Sequence, residues 1–382
     1  MRLERVRLAD VVSMRTGKLD SNAAVQEGEY PFFTCSQKTL RIDKPAFDTK
    51  AVLLGGNNAA GVFPLKYYEG QFNAYQRTYV IESLDPEKLS INFLYYALRP
   101  ALSYFQSASI GAATQYLTKG ILDDFVVALP QILEQQHIAS VLSAYDDLIE
   151  NNWRRIQLLE QAARLLYKEW FVHLRFPGHE HVKIKDGVPE GWEKGTVINL
   201  GRVVTGKTPS TKISENFSGD VQFVKTPDMH RSRILVETEE HLSERGIATQ
   251  ANKTLPAGTI LVACIGAKLG VVSITGRLSQ TNQQINAVIP HKDYLRYFSL
   301  FALIDLKPQL EAMGGGATMP NVNKTKFSSI PVVIPPPILL REFDEFAKTS
   351  FQQMQLLNEL ISRLTKARDH LLPRLMNGSL VV

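Results

Sequence analysis

Gly201-Arg202-Val203-Val204-Thr205-Gly206-Lys207-Thr208 has the spacing G-x-x-x-x-G-K-T, which can cradle nucleotide phosphates in a backbone loop. That chemistry needs a strand before the loop and a helix opening at the lysine. VINL (197–200) is the candidate strand. The following PSTKISENFSG has no helical apolar face, and no apolar strand ending in a magnesium-binding aspartate appears downstream. An internal comparison weighs further against the loop. Thr16-Gly17-Lys18 stands at the corresponding place near the N-terminus, with Val12 where the first glycine would be. The shared element is Thr-Gly-Lys, and a turn lysine beside nucleic-acid phosphate is the better use of Lys18 and Lys207.

Other reaction chemistry is thin. There is no G-x-S-x-G, no H-E-x-x-H and no Asp/Asn-Pro-Pro-aromatic motif. Gly314-Gly315-Gly316 lacks dinucleotide spacing. Asp228 follows Pro227 as in many nucleases, but no Glu-x-Lys follows it. His179 and His181 have no third ligand in a metal-binding pattern. Cys35 and Cys264, the two cysteines, read as buried thiols in strand-like surroundings. The chain reads as a binder, itself non-catalytic, with no metal site.

The polar clusters suit base reading. Asn57 and Asn58 lie in a Gly-bracketed turn, and Tyr75 precedes Gln76 and Arg77; Asn282, Gln283 and Gln284 hold the matching place further on. Asn and Gln pair bidentately with adenine, and Arg with guanine. Lys225, Arg231, Arg233 and Lys268 could serve phosphates or bases. Each of these residues could equally be a turn cap or a strand-end polar group.

The elements that must position these residues occur twice. GAATQYLTKGILDDFVVALP (111–130) matches GGATMPNVNKTKFSSIPVVIP (315–335), and NAYQRTYVI (73–81) matches TNQQINAVI (281–289). The repeat period is far too long for a solenoid, so the unit is a whole domain plus a helix. Residues 1–130 form an α+β domain. In it 51–63 and 76–83 read as strands, and 91–107 as an apolar helix interrupted by Pro100. Residues 131–173 form a long helix. Its stripe runs through Ile138, Leu142, Tyr145, Ile149, Trp153, Ile156, Leu159, Ala163, Leu166 and Trp170 in steps of three or four. A rod of about 38 residues within it would be about 57 Å long.

Residues 174–193 read as a linker, 194–336 as the second α+β domain, and 337–382 as a second long helix. The second stripe runs from Phe343 to Leu371; Pro335, Pro336 and Pro337 mark the start of its helix, and Pro373 with Gly378 the end. Each rod needs a partner for its stripe, and an antiparallel coiled coil between the two satisfies both.

The chain has 382 residues and a net charge of +5, compatible with a polyanionic partner without demanding one. Two cysteines exclude a disulfide framework. MRLERVRLAD has no signal-peptide core, and no apolar run is long enough for a bilayer, so a cytoplasmic protein is expected.

Two α+β domains, each followed by a long helix, resemble the specificity subunit of Type I restriction–modification systems. LLYKEWFVHLRFPG (165–178), VPEGWE (188–193), TGKTPS (205–210) and LLPRLMNGSL (371–380) resemble that family's recurring phrases, end to end. The resemblance implies two target-recognition domains, each reading half of a bipartite site in double-stranded DNA, separated by helices acting as a spacer. It implies docking of two modification subunits and, through them, of restriction subunits. S-adenosylmethionine, ATP and magnesium would then sit only on those partners. The first domain has no counterpart of Trp192, so different half-sites are expected.

Overall fold

The computed structural model describes residues 3–59, 61–230, 232–266, 269–314 and 321–380. Arg231, Lys268 and the 315–320 part of the second repeat block lie outside the described residues. The chain forms two compact units, residues 1–149 with 363–382, and residues 150–362. Both long helices contribute to both units.

The first unit is built on a six-stranded sheet in the order Val12–Thr16, Thr78–Ser83, Phe47–Gly55, Leu65–Ala74, Tyr30–Phe33, Leu40–Ile42. The consecutive apolar run at 51–54 follows from burial on both faces, since successive strand residues point opposite ways. Val52 and Leu54 join a core with Phe93, Leu94 and Phe105 from the helices Ile91–Leu98 and Leu102–Ala108. Ala51 and Leu53 face the other way, into a cluster with Phe33, Phe72 and Val80. The break between those two helices falls at Pro100, as expected.

The second unit carries a five-stranded sheet in the order Gly201–Thr205, Ile285–Pro290, Ile260–Ala263, Val272–Thr275, Ile234–Leu235. A three-stranded sheet (Glu240–Leu242, Phe217–Val224, Ser279–Thr281) adjoins it.

The duplication extends to single hydrogen-bonded registers. Glu4–Arg7 pairs antiparallel with Val126–Leu129, and Glu193–Thr196 pairs likewise with Pro331–Ile334. One helical turn follows each first strand, Leu8–Val11 or Val197–Leu200. The next strand ends at Thr16 or Thr205, opposite Tyr79 or Asn286. VINL is therefore a helical turn and not the strand before a phosphate loop; Asn199 closes a capping box with Thr196 there. The strand is Gly201–Thr205 itself, and the next element after Lys207 is a 3-10 turn at Ser214–Asn216. No helix opens at Lys207, so the phosphate-loop geometry is absent.

The two long helices, Ile132–Tyr167 and Pro337–Met376, pair antiparallel within each unit. In the first unit Ile138, Leu142, Leu372 and Leu375 are buried together, and Asp146 Oδ1 accepts from Arg368 Nη1 at 2.5 Å. In the second, Tyr167 packs at tilted or edge-on angles against Phe343, Phe301 and Phe298, with centroids 5.4–6.2 Å apart. The 36-residue central helix is about 54 Å long. It passes into a π-helical turn, Lys168–Val172. Pro337 opens the C-terminal helix, where a missing N–H costs nothing. Pro373 does not end that helix but lies inside it; the helix stops at Met376, before Gly378 at φ 74°.

Asp344 is the least comfortable acid on this helix. Its Oδ1 is buried without a partner, and burial pushes its carboxyl up to about 6, against the pull of Arg296 and Lys348. Its folded pKa exceeds its unfolded one, so stability falls as pH rises from about 4 to 6 and stays low above that. Asp344→Asn should raise the melting temperature relative to wild type at pH 7.5 and leave it unchanged at pH 4. Equal shifts at both pH values would contradict this.

The 174–193 stretch carries local structure of its own. Asp186 and Gly187, at φ 51° and 75°, turn a two-stranded hairpin, Ile184–Lys185 with Val188–Pro189. Phe176 is buried, and Trp192 lies against Phe176 and Phe171. Cys264 is buried and its thiol pushed up to about 11 by that burial. Cys35 corrects the expectation of a buried strand thiol. It is only partly buried, lies in the loop after Tyr30–Phe33, and its Sγ donates to the Arg77 carbonyl.

Candidate nucleic-acid interface

Three chain segments converge at matching strand ends in each unit. Thr-Gly-Lys is the first, and its glycine is required by contact. A Cβ on Gly17 would lie 1.7 Å from the Ala74 carbonyl oxygen; one on Gly206 would lie 2.1 Å from that of Asn282. The glycine lets the lysine loop lie directly on the polar triplet, which is the second segment. Lys18 and Lys207 stand exposed beside it.

Strand register makes the triplets equivalent. Tyr75-Gln76-Arg77 lies just before Tyr79, and Asn282-Gln283-Gln284 just before Asn286, each opposite its threonine. The third segment is fixed by a repeated backbone relay. Gly56 N donates to Arg77 O and Leu117 N to Gly56 O. In the second unit Cys264 N donates to Gln284 O and Val322 N to Cys264 O. Beside the relay, Asn57 pairs with Tyr116, and Ile265 with Asn321. Tyr116 and Gln115 are not legible as site residues in the sequence; the short pairing of Asn57–Asn58 with Gln115–Tyr116 brings them to the surface. The same pairing makes Asn57 and Asn58 part of a ribbon, not of an open turn.

The side chains differ between the two copies. In the first, Gln76 and Arg77 are exposed, Gln76 Nε2 reaches Asp20 at 3.4 Å, and the Arg77 guanidinium lies over the Tyr116 ring at 5.4 Å. Gln115 is held by Ser109 and by the Gly111 carbonyl. In the second, Thr208 Oγ1 donates to exposed Gln283, and Thr226 Oγ1 to Gln284. Asn282 is buried and donates to Gln284. Two surfaces with one backbone plan thus present different donors and acceptors.

Of the other residues singled out in the sequence, Lys225 borders the second surface, lining a cavity with Thr208, while Asp228 and Arg233 are held by protein partners. Lys225 is tied to Glu240, and Asp228 is a buried loop cap that accepts from the amides of Lys225 and Glu239. Arg233 is committed to the central helix through Glu160 at 2.7 Å, with a further bond to the Val272 carbonyl. Ser232 and Glu237 reach Asn358 and Ser362 of the C-terminal helix. This segment therefore fastens the second unit's sheet to both helices.

Comparison with known proteins agrees with this architecture. A family model described as "Type I restriction modification DNA specificity domain" matches twice, at residues 2–161 and 189–338. The chain is 30% identical over 314 residues to the Type I restriction enzyme HindI specificity subunit of Haemophilus influenzae, covering 66% of this chain and 68% of that one. It is 28% identical over a 411-residue alignment to the EcoDI specificity subunit of Escherichia coli, covering 98% and 88%. Its fold is similar to the crystal structure of the Type-I restriction-modification system S subunit from M. genitalium, at a TM-score of 0.67 and 19% identity, over 98% and 96% of the two chains. A family domain present twice, on an α+β plan repeated down to its backbone relays, places this chain among the specificity subunits of Type I restriction–modification systems.

Proposed function

We propose that each unit's strand-end surface reads one half of a bipartite DNA site, the first with Lys18, Asn57, Asn58, Tyr75, Gln76 and Arg77, the second with Lys207, Asn282, Gln283 and Gln284. The observation that carries this is the same three-segment geometry built twice with different side chains. A duplicated plan suits one duplex, and the divergent readers suit two different half-sites. Lys225, Arg231, Arg233 and Lys268 stay in the proposal as contacts to phosphates or bases on sequence grounds; in the free chain Lys225 pairs with Glu240 and Arg233 with Glu160.

On this reading residues 1–130 and 194–336 are the recognition domains, 174–193 joins them to the rods, and the helices at 131–173 and 337–382 set the gap between half-sites. The helices also dock two modification subunits, which carry restriction subunits in turn. The chain is non-catalytic; S-adenosylmethionine, ATP and magnesium belong to the partners, and the assembly works in the cytoplasm. Among the described residues no helix is long and apolar enough to cross a membrane.

Lys18→Ala and Lys207→Ala test the phosphate role. Each should weaken binding nearly equally across DNA sequences and reduce the salt slope by about one. Neither should alter nucleotide binding, because the chain should have none. An unchanged salt slope in both variants, or ATP binding that Lys207→Ala abolishes, would overturn the assignment.

A further inference from the structure

Resting on the reading above, we propose that Arg77 is the guanine-reading residue of the first half-site and that Tyr116 is its positioning residue. Three arginines of the first unit are held by protein acceptors. Arg15 is bound to Glu82 through two hydrogen bonds, Arg41 to the carbonyls of Gly28 and Glu29, and Arg99 to Asp146. The Arg77 guanidinium has no such partner among the described residues. It is exposed and lies over the Tyr116 ring.

A ring face orients a guanidinium plane without occupying its N–H donors, so the donor fork stays free for an acceptor pair. Guanine O6 and N7 form such a pair in the major groove. The support beneath is fixed. The Arg77 carbonyl accepts from Gly56 N, and Tyr116 exchanges two backbone hydrogen bonds with Ile110. Arg77 and Tyr116 line one cleft of about 460 Å³ together with Gln76, Thr16 and Lys119, open beside the Thr-Gly-Lys loop. In the second unit Gln284 and Asn321 hold these two places, and Gln284 carries no charge, so the two half-sites should differ at the base read here.

The test is methylation mapping with the full chain co-expressed with its modification subunit. In wild type, the half-site that follows residues 1–130 should contain a G·C pair whose identity depends on Arg77. Arg77→Gln should weaken preference for guanine there by roughly ten- to a hundredfold, or shift it to adenine. The other half-site should be unchanged, which also shows that the variant folds. Tyr116→Ala should relax the same position, and Tyr116→Phe, which keeps the ring, should restore it. A wild type that yields a two-part motif, with Arg77→Gln yielding the identical motif, overturns this proposal alone. A wild type that yields no two-part motif overturns the DNA-reading function beneath it and the proposal together.

Discussion

Gly206→Ala is expected to abolish reading of one half-site while leaving the other intact. The new Cβ would lie 2.1 Å from the Asn282 carbonyl oxygen, 2.2 Å from Thr281 Oγ1 and 2.4 Å from the Thr281 carbonyl oxygen. Two of these are backbone atoms, so no rotamer change relieves the clash, and the loop must move off the triplet. Overpacking of this kind costs about 1–3 kcal/mol, occasionally more. The movement also displaces Lys207, whose amide donates to the Thr281 carbonyl and whose carbonyl accepts from Gln250. Affinity for DNA carrying both half-sites should fall at least about tenfold, and the residual methylation motif should keep only the half governed by residues 1–130. Gly17→Ala should do the converse. If both glycine variants retained full two-part specificity, the loop would not position the readers.

Asp146→Ala should be the most destabilising single change at the helix pair. One carboxylate accepts from Tyr96 Oη at 2.9 Å, Arg99 Nη1 at 3.3 Å and Arg368 Nη1 at 2.5 Å. It thereby joins the helix Ile91–Leu98 and both long helices within the first unit. Burial and the neighbouring carboxylate hold the Tyr96 hydroxyl well above its ordinary range, so it remains a donor at all working pH values. Removing the carboxylate strips Arg99 of its ion pair and leaves Arg368, whose side chain is only 12% exposed, with Asp369 alone. Breaking a fully buried pair costs 3–5 kcal/mol; this one is partly open, so about 2–3 kcal/mol is expected. The melting temperature of the first unit should drop by roughly 5–10 °C. Asp146→Asn, which can still accept from Tyr96, should lose less. A drop below about 1 °C for the alanine variant would show that the network adds nothing to stability.

Much of the architecture was legible because its signals are periodic. The stripes from Ile138 to Trp170 and from Phe343 to Leu371 step by three or four, so each rod needs a partner for its apolar face. The repeat was legible from words such as TQYL and NAYQR. Its registers were not, since they depend on which backbone amide meets which carbonyl. The same limit hid Tyr116 and Gln115, which join the candidate interface through a pairing just two residues long and the contact of Arg77 with the Tyr116 ring. Apparent function misled where a motif had the right letters on the wrong backbone. G-x-x-x-x-G-K-T carries a glycine needed for close packing on Asn282, and nothing after it forms the required helix. Arg233 and Lys225 qualify as DNA contacts by type; their ion pairs with Glu160 and Glu240 depend on the fold and are not legible in the sequence. The 174–193 stretch reads as a linker because its apolar content is low; its local order, set by Phe176, Trp192 and an Asp-Gly turn, is not legible in that composition.

The most direct test of the central claim is to map modified adenine in a methylation-free host expressing this chain with its modification subunit, and then with residues 1–130 exchanged for those of a relative. The account predicts a two-part motif with an unspecified gap, in which the exchange alters one half and leaves both the other half and the gap unchanged. A co-purifying complex that modifies no defined motif, or an exchange that alters both halves together, would contradict it.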